Sequence, residues 1–419
     1  MLNTSLYKQA NVAKLSALLF AVLLTAWPQT ARADKVTDWN EIGSQVVLNT
    51  GRAGAIGTVD LAYMHIAIYD AVNAIEPGYA VFAITPSNVP AGASADAATV
   101  EAAYRVLIAI FPTQAAYINQ QYAISIASIP DGQSKTDGMA VGADVAALFL
   151  ASRTGDGRNA HVTYTPGSGP GAWVPTSPAP PAVPWLTLMR PFGIESASQF
   201  RPDPPPALDS AEWAEDYNEV KRVGSINSAY RTPEQTTLAR IFLDPGVPQV
   251  ARTFRQLATD KGLSLRDNAR LFAYLYVAQG DATIAGFNAK YHYGFWRPIT
   301  AIRNGDTDGN PNTEADPTWT PLAPTPNHPE YVSAHAFSEG AWTEVLREFF
   351  GTKKLNLTIS SPTTGTSIAF SNTDDVVKAV NDARVFAGFH YRTSCVRGAV
   401  LGRKVANYIG KNYFRPTQR

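Results

Sequence analysis

The sequence predicts an all-α protein built from helical bundles. Residues 58–75 place apolar side chains at the spacing of one helix face, and the alanine-rich stretches 95–110 and 133–152 are also typical of helices. Period-two alternation persists nowhere along the chain, so we expect no sheet. The simplest architecture for such a chain is two helical bundles packed together.

The composition excludes several classes of protein. Of the 419 residues, 45% are hydrophobic and 17% are charged, which suits a globular protein with a sizeable core. Lys+Arg and Asp+Glu both number 35, so the charge balance gives no reason to expect a nucleic-acid partner. Cys395 is the only cysteine, which excludes an internal disulfide and argues against a cysteine-based zinc site. We expect it to be a small core residue.

The N-terminus has the three parts of a secretory signal. Lys8 and Lys14 precede an apolar run at 15–27, and an A-x-A cleavage site ends at Ala33. The run is shorter than the roughly 20 residues that a transmembrane helix needs. We therefore expect cleavage after Ala33, a periplasmic or secreted protein, and no membrane-spanning segment in the mature chain. An uncleaved anchor helix is the alternative.

The mature chain divides into three regions by composition. Residues 34–153 hold the N-terminal helices, and residues 210–419 hold a C-terminal helical bundle. Between them, residues 154–209 contain twelve of the 30 prolines, which remove backbone donors and fix φ. Trp173 and Trp185 indicate that this irregular connection packs down on the surface of the bundle.

Two further segments frame the C-terminal region. Residues 266–290 are apolar on nearly all sides, which predicts a central, buried helix. The polar loop 304–316 has the acidic spacing of a calcium loop, but Pro311 stands where such a loop requires glycine. We therefore expect a solvated, turn-rich loop there.

Two segments place polar groups where the pattern predicts burial. K-Y-H-Y-G-F-W-R-P, at 290–298, sets Lys290 and Arg297 among aromatic side chains, and a charge in such surroundings needs a partner. P-E-Y-V-S-A-H-A, at 329–336, opens a helix with Ser333 at its start and His335 on its core face. The free N–H groups of a helix N-terminus, together with a hydroxyl, make a natural anion site.

A third segment adds another cation and another histidine. In A-R-V-F-A-G-F-H-Y-R-T-S, at 383–394, Arg384 lies on an apolar helical stripe and His390 follows the helix end at Gly388. Arginine binds oxyanions through two parallel hydrogen bonds, and no carboxylate cluster accompanies these residues as a divalent cation would require. The three segments together predict a site for phosphate or a similar anion. The alternative is structural, with arginines in buried ion pairs and histidines in the core, the class to which we assign His65.

At these three segments the sequence resembles a known superfamily. The segments are similar to the K-x6-R-P, P-S-G-H and S-R-x5-H-x3-D motifs of type 2 phosphatidic acid phosphatases and vanadium-dependent haloperoxidases. Residues 64–75, 231–236 and 316–322 resemble the bacterial haloperoxidase-like branch, so the resemblance covers nearly all of the mature chain. It implies a helical fold with the active site inside the C-terminal bundle, and a homodimer by analogy.

The resemblance also implies a role for each site residue. Vanadate, or phosphate as a competing occupant, would be held through its oxygens by the following groups: Lys290, Arg297, Arg384, Ser333 and the N–H of Ala334. His390 would bond the vanadium at the apical position. His335 would be the acid–base group on the opposite side.

The sequence departs from the superfamily motifs at three positions. Ala334 replaces a glycine but keeps its N–H, and Ala383 replaces a serine. Ser394 stands where the motif has an aspartate, which leaves open how His390 is oriented. Asp281 or Asp382 are the candidate substitutes.

Three functions remain open at this point. A haloperoxidase would use hydrogen peroxide to oxidise halide to hypohalous acid, which then acts on a small organic substrate. The aromatic F-W-R-P segment favours this hypothesis. A vanadate-inhibited acid phosphatase would use His390 as the nucleophile on a phosphate ester and His335 as general acid and base. A non-enzymatic periplasmic protein that binds an oxyanion would keep the cations without requiring His335.

Overall fold

The computed structural model describes residues 34–52 and 54–417, and the predicted signal at 1–33 lies outside them. The all-α class is confirmed. In these ranges no helix combines the length and the hydropathy that crossing a membrane requires. The α-helices are α1 Lys35–Asn49, α2 Ala55–Ile75, α3 Ala95–Ile110, α4 Ala115–Ala127, α5 Gln133–Ser152, α6 Ala211–Gly224, α7 Pro233–Ile241, α8 Gly246–Lys261, α9 Leu265–Tyr293, α10 Pro298–Arg303, α11 Ala334–Phe350, α12 Thr373–Phe386 and α13 Arg392–Asn412.

Helix boundaries follow the local sequence. Helices α3 and α5 begin and end at the residues that the sequence predicts. The side chain of Ser94 caps α3, and that of Ser264 caps α9, each by accepting a backbone hydrogen bond in the first turn. Gly294 ends α9 in the left-handed conformation, with φ of 55°. Every residue of α9 from Leu271 to Phe287 is buried, so the predicted central helix is confirmed.

Helix α9 runs through a core that the N-terminal and C-terminal helices share. Helices α2, α11 and α13 all pack against α9, and α11 also packs along α13. Leu61 of α2 and Trp342 of α11 belong to the same buried apolar cluster. Where α11 meets α13, a Cβ at Gly402 would overlap the carbonyl oxygen of Phe337, so glycine is needed for this close approach.

The proline-rich connection packs down on α9, as its tryptophans predict. Trp173 is fully buried, and its backbone N–H donates to the carbonyl of Gly294 at 2.7 Å. Further along, Asp281 of α9 accepts hydrogen bonds from the three consecutive N–H groups at 192–194, at 2.7, 2.7 and 2.9 Å. These hydrogen bonds hold the connection against α9 and its end at Gly294, within the first polar segment, 290–298.

The expectation of no sheet is wrong in one place. The strands β1, Leu357–Ser361, and β2, Thr366–Phe370, form an antiparallel hairpin that packs against α8 and α12. Burial alternates along β1, with Leu357 and Ile359 inside. The period-two pattern is real, but it is too short to stand out from the polar sequence around it.

The loop 304–316 is buried at its centre, so the expectation of a solvated loop is wrong there. Asp308, Asn310 and Thr313 are all buried. The Asp308 carboxylate accepts hydrogen bonds from the Trp213 indole and the Thr313 hydroxyl, both at 2.8 Å. Buried polar groups persist when they are paired in this way, and this pairing ties the loop to α6.

Candidate active site

Lys290 lies on the last turn of α9 and is fully buried. Its ammonium group donates hydrogen bonds to the carbonyl oxygens of Pro329, at 3.1 Å, and Glu330, at 2.9 Å. An ammonium has three donors. One N–H is therefore left for another acceptor, and Lys290 holds the second polar segment against the first.

Arg297 joins all three segments. It precedes α10, whose first residue is Pro298, and it is fully buried. Its Nε donates to the carbonyl of His328 and its Nη1 to the carbonyl of Phe389, both at 2.9 Å. Nη1 also lies 3.2 Å from Nε2 of His390, and Nη2 lies 3.0 Å from Nδ1 of His328.

Helix α11 presents backbone donors to the same region, as the sequence predicts. Ser333 is its N-cap and Ala334 its first residue. The first N–H groups of a helix have no partner within it, and the helix dipole favours an anion there. His335 follows and lines a cavity of about 80 Å³ together with Glu339. A single water needs roughly 10–15 Å³ on such a measure, so the cavity beside His335 has room for water-sized molecules.

The end of α12 supplies the third cation. Arg384 is buried, and its Nη1 donates to the carbonyl of Phe242 at 2.7 Å. The chain then turns at Gly388, where φ is 76° and a Cβ would come within 2.6 Å of the carbonyl oxygen of Gly224. Only glycine suits this position. The turn sends the chain back so that His390 faces Arg297.

His390 is held by a carboxylate that the sequence analysis did not find. Glu330 Oε1 lies 2.7 Å from His390 Nδ1, and both side chains are buried. The N–H of Tyr391 also donates to Glu330 Oε1, at 3.2 Å. Glu330 is the only carboxylate in the segment 329–336, and that isolated charge was the signal that could have identified it.

Asp281 and Asp382, the expected substitutes for the aspartate missing at Ser394, do not hold His390. Asp281 accepts the backbone donors of the proline-rich connection, and Asp382 pairs with Arg392 at 2.6 Å. That expectation is wrong because position in the sequence does not identify the carboxylate that contacts His390. The contact of His390 depends instead on how the segment before α11 packs against the segment before α13.

The contacts of His390 indicate which nitrogen of its ring carries the proton. Hydrogen positions follow from the network: Nδ1–H donates to Glu330, which leaves a lone pair on Nε2 facing Arg297. Burial, and then the charges of Arg297 and Lys290, lower the pKa of His390 well below its ordinary value. The ring is therefore neutral near pH 7, and Nε2 can bond to an electrophilic centre such as vanadium or phosphorus.

Burial changes the pKa of every charged group in the cluster. It lowers the pKa of Arg297 and Arg384 to about 10 and that of Lys290 well below its usual range. For His335, burial and then Arg384 lower the pKa well below its ordinary value. Burial raises the pKa of Glu330 to about 7, although Lys290 and Arg297 oppose this change. The cluster thus keeps an excess of positive charge, which favours an anion.

Several polar atoms of the cluster lack a partner among the described residues. They are Ser333 Oγ, His335 Nε2 and Arg384 Nε. A buried polar atom left unpaired costs about 1–3 kcal/mol. A tetrahedral oxyanion offers several acceptors at once and would satisfy such donors together with the third N–H of Lys290. The donor set, with a histidine nitrogen able to bond the central atom, therefore fits vanadate or phosphate.

The structure brings the predicted site residues into one region. Hydrogen bonds through residues 328–330 join Lys290, Arg297 and His390, and Arg384 is close enough to lower the pKa of His335. His328, Glu330 and Glu339 were not among the site residues predicted from the sequence. The roles assigned to the site residues as ligands or acid–base groups stay predictions.

The part of the chain that holds this site matches a known family model. The family described as the VCPO second helical-bundle domain matches residues 270–418, a range that contains all of the predicted site residues. Vanadium chloroperoxidase of Curvularia inaequalis is 28% identical over 217 residues, which are 42% of this chain and 35% of that protein. These similarities support a relationship to the vanadium-dependent haloperoxidases.

Solved structures share the fold of this chain. A bacterial vanadium-dependent iodoperoxidase superposes with a TM-score of 0.79 at 22% identity, over 92% of this chain and 97% of that one. A holo-type bacterial vanadium-dependent chloroperoxidase superposes with a TM-score of 0.68 at 16% identity, over 92% and 94%. By contrast, the match to the Curvularia protein spans about a third of its length.

Replacing Arg297 with alanine tests the role of the cation cluster. The free energy of phosphate or vanadate binding should weaken by about 2–5 kcal/mol, because truncating one buried charge leaves its neighbours unpaired. Titration calorimetry measures this change. Arg303→Ala is the matched control, since Arg303 ends the adjacent helix α10 and donates to the carbonyl of Trp319. A loss below about 0.5 kcal/mol, the size of an ordinary surface substitution, would show that Arg297 is not a ligand.

Replacing Glu330 with alanine tests the orientation of His390. The dissociation constant for vanadate should rise about 10–100-fold, as for other residues that orient a metal-binding histidine. Adding Ser394→Asp should recover part of the affinity, because it restores the aspartate of the superfamily motif.

Asp382→Ala is the matched control for the loss of a carboxylate near the same helix ends, and it should leave vanadate affinity unchanged. If Glu330→Ala binds vanadate as tightly as the wild type does, Glu330 does not position the histidine.

Proposed function

We propose that the protein is a vanadate-dependent haloperoxidase that oxidises a halide with hydrogen peroxide to hypohalous acid. The observation that carries this proposal is the contact between His390 Nδ1 and Glu330, which leaves Nε2 of the buried ring facing Arg297. The relatives named vanadium chloroperoxidase and vanadium-dependent iodoperoxidase support it.

The chain would position and polarise the reactants. Bound vanadate would supply the chemistry of peroxide activation. His390 Nε2 would hold the vanadium, and Glu330 would keep the ring in place. Lys290, Arg297 and Arg384 would bind the oxygens and stabilise negative charge that develops on them, an effect strengthened by the exclusion of water.

Aromatic residues around Arg297 provide that exclusion. Phe295 and Trp296 are buried, and Trp296 stacks on Trp213 with ring centroids 5.8 Å apart. Phe295 and Trp296 also belong to the buried apolar cluster of the core. A dry environment of this kind strengthens each interaction between the cations and a bound anion.

His335 would move the proton. The overall reaction, H₂O₂ + X⁻ + H⁺ → HOX + H₂O, needs one group that takes a proton from the incoming peroxide and returns one to the oxygen that leaves as water. His335 is neutral and lies on the cavity, so it can accept first and donate afterwards.

A phosphatase reaction is the second candidate, because the same lone pair on His390 could attack phosphorus and form a phosphohistidine. His335 would then protonate the leaving alcohol and activate water. The two reactions differ in what vanadate does, since it would be required for halide oxidation and would inhibit phosphate ester hydrolysis.

Both reactions can be measured on one purified sample titrated with vanadate. We expect peroxide-dependent oxidation of iodide or bromide that requires vanadate, and a loss of about 10²–10⁴-fold in kcat for His335→Ala. His292→Ala, at an exposed histidine of α9, is the matched control and should keep full activity.

The remaining outcomes separate the alternatives. Hydrolysis of p-nitrophenyl phosphate that vanadate inhibits, without halide oxidation, would replace the proposal with a phosphatase. Tight vanadate binding with neither turnover would indicate a non-enzymatic oxyanion-binding protein.

A further inference from the structure

Glu339 is a buried carboxylate that the reaction above does not use. It lies on α11 four residues after His335, and side chains at this spacing share one face of a helix. Only 4% of Glu339 is exposed, and its Oε2 has no hydrogen-bond partner within residues 34–52 and 54–417. Glu339 and His335 line the same cavity of about 80 Å³. Glu339 and His335 therefore share both a helix face and a cavity.

Few charged groups act on Glu339. The residues that α2, α8 and α9 contribute to the cavity are uncharged, among them Thr58, Val250 and Gln279. Helix α13 meets α11 through small residues such as Gly402, and α12 contributes Arg384.

Burial dominates over the nearby arginine in setting the protonation of Glu339. It raises the pKa of Glu339 to about 8, although Arg384 opposes this change. Near pH 7 the carboxyl group is therefore mostly protonated. An uncharged carboxyl group in this position has a proton to give, and it adds no negative charge that would repel an incoming anion.

Halide oxidation needs such a source of protons. Each turnover consumes one proton, because H₂O₂ + X⁻ + H⁺ gives HOX + H₂O. His335 gives one proton to the departing oxygen, so another group must replace that proton before the next turnover. A neighbouring acid that stays protonated near neutral pH would supply His335 at the moment it donates.

We propose that Glu339 supplies His335 with the proton that each turnover consumes. The inference rests on the proposed haloperoxidase function. The O–H bond of the Glu339 carboxyl group breaks, an N–H bond forms on His335, and His335 passes its proton to the oxygen that leaves as water. A proton from solvent, the H⁺ of the overall equation, then reaches the Glu339 carboxylate by way of the cavity and protonates it again. No oxidant beyond peroxide is needed, and the protons balance.

The pH profile of the purified, vanadate-loaded protein tests this proposal. In the wild type, kcat should fall as pH rises through the pKa of Glu339, about 8, because the carboxylate has no proton to donate. In Glu339→Gln, kcat near pH 7 should be at least about tenfold lower, and this fall should disappear. Glu339→Asp should retain it, and added formic acid should partly restore Glu339→Ala.

Glu344→Gln is the matched control. Glu344 is a buried carboxylate of the same helix that pairs with Arg347 and does not line the cavity, so its pH profile should follow the wild type. If Glu339 is only a counter-ion of Arg384, Glu339→Gln should instead bind phosphate more tightly and keep the wild-type pH profile, and that result would overturn the proposal.

Infrared difference spectroscopy adds a readout that does not depend on turnover. A band from a buried, protonated carboxyl group should be present near pH 7, shift in heavy water, and be missing in Glu339→Gln. Its absence from the wild type would show that Glu339 is ionised and would overturn the proposal. Wild-type turnover with an unchanged Glu339→Gln profile overturns the Glu339 role alone, whereas no wild-type turnover with any halide overturns the proposed function itself.

Discussion

Three cationic side chains lie inside the helical core, and much of the structure serves to hold them there. Lys290 and Arg297 are fully buried, and Arg384 is nearly so. Taking such charges out of water costs several kcal/mol each unless they are paired. Backbone carbonyls accept hydrogen bonds from these cations, and the charge of Glu330 acts on Lys290 and Arg297. The donors that remain are those an oxyanion would satisfy, so the stability of the core and the binding of the anion are linked.

The fold brings these charges together from separate parts of the chain. The proline-rich connection is bonded to the segment after α9, Gly388 turns the chain after α12, and Gly402 lets α13 lie close against α11. Each of these features sets the position of one polar segment relative to the others. Glu330 then joins the second segment to the third through His390, which leaves Nε2 of the ring facing Arg297.

The sequence predicted what depends on local pattern. The ends of α3 and α5, the burial of α9 and the residues of the cation cluster all follow from helical spacing, caps and short motifs. It did not predict features that depend on packing between distant segments. Glu330 reaches His390 across 60 positions of the chain, and Asp308 is buried only because α6 brings Trp213 to it. The short hairpin β1–β2 escaped because its alternation is too brief to be distinguished from polar loop sequence.

The central claim is that His390 is a neutral histidine whose Nε2 is free to bond a central atom, with Glu330 fixing its orientation. Vanadium K-edge X-ray absorption on the vanadate-loaded protein tests this most directly, because it reports the atoms bonded to the metal. We expect one nitrogen ligand on vanadium in the wild type and none in His390→Ala, with oxygen ligands in both. A vanadium surrounded by oxygen alone in the wild type would contradict it.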